Sequence, residues 1–236
     1  MTPFALPPDC PCIKRVNSFH ELLTTPFLDG VNALCWPRTL VGDFGEVLKH
    51  LTVSEGIHVL DEAQLASLPV SDAGRAAIEM MLEDSRLLRE HDLDPTLNCI
   101  NGYPRDEEPG PVPTDVISFH VDSAPVEADT WLCTYHGATS EGLLNEEAIR
   151  RVDIPETRAE LLELFGGKDD ESFREFLNEH CYDLHYAPLS HARPYSFGLG
   201  NLWRIATEWP GSPVPPCIHR APETRPGDPL RLLLIS

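Results

Sequence analysis

Positive charge is scarce in this chain. Eighteen lysines and arginines stand against 38 aspartates and glutamates in 236 residues, giving a formal net charge of −20. Such a chain has no basic surface with which to release counterions from a phosphate backbone, so nucleic acid is excluded as an expected partner. An anionic membrane surface is excluded on the same ground. Solubility is the plain consequence of the acidity. No apolar run approaches the roughly 20 residues of a membrane-spanning helix. Met1 to Pro8 has neither a basic start nor a long apolar stretch, so no secretory signal is expected and the expected location is cytoplasmic. The seven cysteines are odd in number and scattered, which favours reduced thiols over a disulfide framework. Cys10-Pro11-Cys12 lacks partners at zinc-site spacing. There is no internal repeat. Gly198-Leu199-Gly200 lacks the strand–turn–helix context of a dinucleotide loop.

What is present suffices for one core. Hydrophobic residues make up 42% of the chain, enough for a single folded unit of this length. Residues 1–95 read as a mainly helical support region. Ser18-Phe19-His20-Glu21 fits a capping box, and its helix should end before Pro26. Val31 to Trp36 reads as a buried strand, and Thr39 to Leu51 has helical apolar spacing. Ser71 to Leu88 is the clearest helix, capped by Ser71 with Ala77 and Met81 on its apolar side. After Pro95 the pattern changes to short β-prone runs between Gly and Pro turns. These are Thr96 to Ile100, Val116 to Val121, Thr130 to Tyr135, Ser196 to Ala206 and Leu230 to Ile235. A helical insert around 145–180 interrupts them. Many short strands of this kind indicate a sandwich or barrel rather than a doubly wound sheet. The charged Pro104 to Pro113 loop precedes the second run and is placed to border a site.

The chemistry concentrates in His120, Asp122, His219 and Arg231. Val116, Ile117, Phe119 and Val121 make an apolar strand-like run, and an ionisable pair inside such a run needs a reason. In a strand, residues two apart point to the same side, so His120 and Asp122 can reach one ion. A second imidazole must then return from another strand, and His219 is the candidate. Two imidazoles and one carboxylate leave the opposite face of a metal open, the arrangement of non-haem Fe(II) oxygenases. Arg231 would supply a fixed cation for an acidic cosubstrate.

With these elements in place, the second half resembles the double-stranded β-helix oxygenases that use Fe(II) and 2-oxoglutarate. The resemblance covers 96–236. It rests on His120-x-Asp122, on His219-Arg220-x-Pro222, and on Arg231 twelve positions after His219. The chain is also similar to a set of uncharacterised bacterial proteins with His-x-Asp, Thr-Tyr-x-Gly and His-Arg-x-Pro elements, the middle one being Thr134-Tyr135-His136-Gly137 here. The first resemblance implies an α+β protein with a double-stranded β-helix (jelly-roll) core, N-terminal helices and a helical insert. It implies Fe(II) on His120, Asp122 and His219, and 2-oxoglutarate held by Arg231. Two departures stand out. Leu233 occupies the place where the family often carries a hydroxyl, and His219 lies 99 positions after His120.

Asn101, Tyr103 and Tyr135, on flanking strands, are expected to donate to the cosubstrate or substrate. His136 is a further candidate for the same cavity, and Arg193 is an alternative anion partner. The expected substrate is a small molecule such as an amino acid or its derivative. Three readings compete with this one. A jelly-roll protein could bind a metal such as zinc without oxygenase chemistry. A second metal cluster could form from His180, Cys181, His185 and His191, although their spacing fits no closed zinc pattern. An acidic interaction domain would have core histidines and Arg231 in a surface ion pair.

Overall fold

Side-chain caps begin most of the helices. The computed structural model describes residues 10–105, 110–225 and 227–236, so part of the Pro104 to Pro113 loop lies outside the described residues. A short strand β1 (Ile13–Arg15) leads into α1 (Phe19–Thr24), where the Ser18 side chain accepts from the Glu21 N–H. Glu21 in turn accepts from the Asn17 N–H, one residue earlier than a standard capping box. Next come β2 (Ala33–Trp36), α2 (Phe44–Lys49), β3 (Gly56–Val59), α3 (Glu62–Ser67) and α4 (Asp72–Arg89). Asp43, Asp61 and Ser71 cap α2, α3 and α4. The expected Thr39 to Leu51 helix is therefore shorter, because the chain turns helical only after Asp43.

The second half contributes β4 (Thr96–Asn101), β5 (Asp129–His136), β6 (Glu141–Leu143), β7 (Ala148–Arg150), α5 (Pro155–Phe165), α6 (Glu171–Glu179), β8 (Tyr186–Pro188), β9 (Tyr195–Ser196), β10 (Leu202–Ala206), β11 (Ile218–Arg220) and β12 (Arg231–Ile235). Pro155 opens α5 and Gly166, at φ +70°, closes it. The insert is thus two helices flanked by the β7–β8 pair, with a small core of its own around Leu161, Phe173 and Leu177.

Seven strands form one sheet in the order β1-β2-β10-β5-β12-β4-β3, and three form a second in the order β11-β6-β9. The fold is α+β. In residues 1–95 the expected strand is present as β2, and β1 and β3, which were not foreseen, join it in extending the large sheet at both edges. Alternate residues divide the large sheet's two faces. Leu97, Cys99, Trp131, Cys133, Tyr135, Leu232 and Leu234 pack against the N-terminal helices. Ile100, Leu132, Trp203, Ile205 and Leu233 point the other way, toward Tyr195, Phe197 and Cys217 of the small-sheet side. Phe197 stacks on Trp203 at 4.4 Å between ring centroids. The order of layers is helices, large sheet, small sheet.

Two expected strands are altered. Ser196 to Ala206 is broken by Gly198 and Gly200, both at positive φ, so that β9 and β10 fall in different sheets. Val116 to Val121 is not a strand throughout. Asp115 accepts from the backbone N–H groups of Ile117 and Ser118, folding the start of that run into a turn. Only His120 then pairs as an isolated bridge, with His219 on one side and His185 on the other.

Candidate metal centre and anion pocket

His120 and His219 exchange both backbone hydrogen bonds, each at 2.9 Å. Such a pair places the two side chains side by side on one face, and the rings lie 4.6 Å apart between centroids. Asp122 follows two residues later, anchored by its carbonyl to the Glu208 N–H at 2.7 Å. Its carboxylate oxygens lie 3.9 Å from His120 Nε2 and 3.6 Å from His219 Nε2. The potential ligand atoms of these three residues all lie within 4.8 Å of one another, and they form the one such group among the described residues.

Both imidazoles are oriented from behind. His120 Nδ1 lies 2.7 Å from the Ser118 carbonyl and His219 Nδ1 lies 3.2 Å from the Cys217 carbonyl. A ring nitrogen that faces a carbonyl carries the proton, which leaves each Nε2 lone pair toward the cluster. Thr130 Oγ1 donates to Asp122 Oδ2 at 2.5 Å and fixes the carboxylate. Burial, then the neighbouring His219, pushes His120 down to about 4, so its imidazole is neutral at neutral pH. Burial raises Asp122, but His219, Thr130 and His120 together outweigh it and hold the carboxyl below its usual value. A neutral His120 nitrogen and an ionised Asp122 oxygen are donor states that a divalent transition metal requires.

Arg231 begins β12 and is 2% exposed. It donates to the Tyr103 hydroxyl, to Thr134 Oγ1 at 3.1 Å and to Ser140 Oγ at 2.7 Å, while its Nε is buried without a partner. No carboxylate pairs with it among the described residues, and burial lowers its pKa. The competing reading of a surface ion pair therefore fails for Arg231: the guanidinium is buried, and no carboxylate among the described residues compensates its charge. A guanidinium has five N–H donors, and the three hydroxyls that accept from it keep their own protons to donate. Together these groups can donate to an anion.

One cavity of about 300 Å³ is lined by both His120–Asp122–His219 and Arg231, with Tyr103 and Ser140 beside the arginine. The other expected site residues lie elsewhere. Tyr135 is on the helix-facing side of β5, where its hydroxyl donates to Asp84 at 2.6 Å and its ring stacks on Phe44. Asn101 is on the corresponding side of β4 and donates to the Ser54 carbonyl. His136 bonds the Leu230 carbonyl outside the cavity lining. Arg193 is exposed, its backbone N–H bonded to Glu147.

The alternative cluster is not assembled. His180 packs on Phe176 and Tyr182, Cys181 is exposed, and His185 instead lies beside His120 with rings 5.7 Å apart. The Cys10 and Cys12 sulfurs lie 2.9 Å apart but gather no third ligand among the described residues.

Thr130, Thr134, Ser140, Asn98 and Thr96 are the polar groups of the site that sequence reasoning missed. Period-two alternation from Leu132 identifies Thr130 and Thr134 as inward-facing once the face of Leu132 is known. No family model, no curated protein and no solved structure matches this chain.

Proposed function

We propose that this protein is a non-haem Fe(II)- and 2-oxoglutarate-dependent oxygenase acting on a small molecule. The observation that carries the reading is the shared cavity: a two-His-one-carboxylate group and a buried, acid-free arginine line the same space. The donor set fits Fe(II), which accepts imidazole and carboxylate and in this ligand arrangement keeps open positions. A closed structural zinc site takes four protein ligands, and here the adjacent His185 is not part of the group. The unpaired Arg231 Nε fits a cosubstrate carboxylate, because burying a guanidinium without a counter-charge is costly.

A jelly-roll core is part of the proposal. From β4 onward the chain crosses repeatedly between sheets: β4 large, His120 small, β5 large, β6 and β9 small, β10 large, β11 small, β12 large. Two facing sheets with strands exchanged in this manner are the pattern expected of jelly rolls.

In this reading His120, Asp122 and His219 would hold the iron, which supplies oxygen activation when bound. Thr130 and the two backbone carbonyls orient those ligands. Arg231, with Tyr103, Thr134 and Ser140, binds and aligns the far carboxylate of 2-oxoglutarate. Leu132, Leu233 and Ile235 line the same cavity and limit water beside the two subsites.

The test is an anaerobic titration with Fe(II) and then 2-oxoglutarate, followed by an assay for Fe(II)-dependent succinate. The expected result is a weak visible charge-transfer band that needs both components and is absent in Asp122→Ala. Iron binding without that band would remove 2-oxoglutarate from the proposal, and succinate formation unchanged in His120→Ala would remove the iron centre.

A further inference from the structure

The cavity has lining beyond the metal cluster and Arg231. Its floor there is the inner face of β12, β4 and β3, where Arg231 pairs with Ile100 and Ile100 with Ile57, while Leu233 pairs with Asn98 and Ile235 with Thr96. Ile57, Ile100, Leu233 and Ile235 make this floor apolar. At the rim, Ile57 is 48% exposed and Val116 43% exposed, so the apolar lining reaches solvent. Apart from the metal-cluster residues, Arg231 is the only charged side chain in the lining among the described residues.

One polar group on the floor lacks a full set of partners. Asn98 is 6% exposed. Its Nδ2 donates to the Thr96 carbonyl at 3.3 Å and to Thr96 Oγ1 at 3.1 Å, and its Oδ1 accepts nothing among the described residues. That oxygen is accessible from the cavity, so a ligand that donates to it takes the place of water.

We propose that the substrate is an uncharged small molecule with an apolar body, resting on Ile57, Ile100, Leu233 and Ile235, and one hydroxyl or N–H group that donates to Asn98 Oδ1. The cavity of about 300 Å³ sits at the small end of ligand pockets. The exclusion of charged substrates rests on the oxygenase reading. With Arg231 engaged by 2-oxoglutarate and Asp122 by the metal, a free amino acid finds no partner for its ammonium or its carboxylate. Burying either charge unpaired outweighs the gain from apolar contact. A second cavity, of about 220 Å³, shares Val116, His120 and Asp122 with the first and contains Asp115. Asp115 is already engaged, by Ile117, Ser118 and, at 3.8 Å, Arg105. This departs from the amino acid expected from sequence.

The test uses saturation-transfer NMR on the full chain loaded with redox-inert Zn(II) and 2-oxoglutarate, with 1-hexanol and 6-aminohexanoate as probes. The expected result is saturation of the 1-hexanol methylenes and none of 6-aminohexanoate. Asn98→Ala should weaken 1-hexanol at least tenfold. Ile57→Glu, a change on an exposed edge strand that leaves the fold intact by circular dichroism, should abolish the signal. Equal saturation of 6-aminohexanoate, or a 1-hexanol signal unchanged in Ile57→Glu, would overturn the inference. The 2-oxoglutarate methylenes report on the cosubstrate in the same sample. Their saturation without 1-hexanol binding defeats the inference and leaves the oxygenase reading standing. Ile57-dependent 1-hexanol binding without 2-oxoglutarate defeats the oxygenase reading and leaves the apolar substrate site standing.

Discussion

Arg38, half-buried, and Arg231, buried, have opposite surroundings, and the difference predicts opposite mutational behaviour. Arg38 grips Asp84 through both carboxylate oxygens, at 2.5 and 2.8 Å, and its Nε donates to the Gly200 carbonyl. Tyr135 completes the network by donating to the same carboxylate. Arg38→Met would strand Asp84 in the interior, so a loss of about 3–5 kcal/mol is expected in urea melts. Arg231 has hydroxyls around it but no carboxylate. Arg231→Met removes an uncompensated charge, so the melt should hold or shift upward while 2-oxoglutarate binding disappears. Equal destabilisation by the two substitutions would mean that Arg231 is structural. Thr130 gives a milder case. In the proposed chemistry it meets neither the metal nor 2-oxoglutarate and acts only through the ligand Asp122, whose Oδ2 accepts from it, and supports of this kind are worth about 10–100-fold in metal affinity. Thr130→Val should weaken Co(II) by that factor in a spectroscopic titration, and an unchanged affinity would show that Asp122 orients itself.

Strand ends decide whether Arg231 reaches the cavity. The register of β12 against β5 shifts between Leu232 and Leu233, and such irregularities re-aim neighbouring side chains. Gly137 follows β5 at φ +83°, and a Cβ there would lie 2.7 Å from the Leu230 carbonyl oxygen and 3.0 Å from Arg231 Cα. Gly137→Ala therefore strains its own backbone and pushes on β12. The expected outcome is a loss of more than about 1 kcal/mol, with 2-oxoglutarate affinity falling more than Co(II) affinity. Equal loss of both would place the disturbance elsewhere. The same strands explain what the sequence could reveal. Helix caps at Ser18 and Ser71 were legible because each is a local hydrogen bond. His120, Asp122, His219 and Arg231 were legible by their chemistry. The faces of β4 and β5 were not, because the interiors of both strands are buried on each side and show no polar alternation. Tyr135 and Asn101 were assigned to the cavity for that reason, while Thr134 and Asn98, one and three residues away, are on the cavity side. The Val116 to Val121 run misled because its apolar composition outweighed the turn that Asp115 imposes.

At the scale of the molecule, the helices and the chemistry occupy opposite sides of the large sheet. The helices α1 to α4 back one face, and the cavity opens on the other, beneath the segment carrying His120 and Asp122 and beneath β11. A metal bound there ties together two parts of the chain 99 positions apart, so its binding energy adds to the stability of the whole fold. At a free concentration near 100 times Kd, that addition is about 2.7 kcal/mol. For a chain of this size it corresponds to a rise in Tm of about 5–10 °C. The net charge of −20 complicates the measurement, because 38 carboxylates attract any divalent cation weakly. The ligand set separates the two effects. Ca(II) seeks oxygen donors and should follow the surface charge alone, whereas Co(II) accepts the imidazoles as well. Co(II) should therefore raise Tm by the full amount in the wild-type chain and by no more than Ca(II) in His219→Ala. A Co(II) shift that survives His219→Ala would put the bound ion on the acidic surface and leave the two-histidine cluster without its metal.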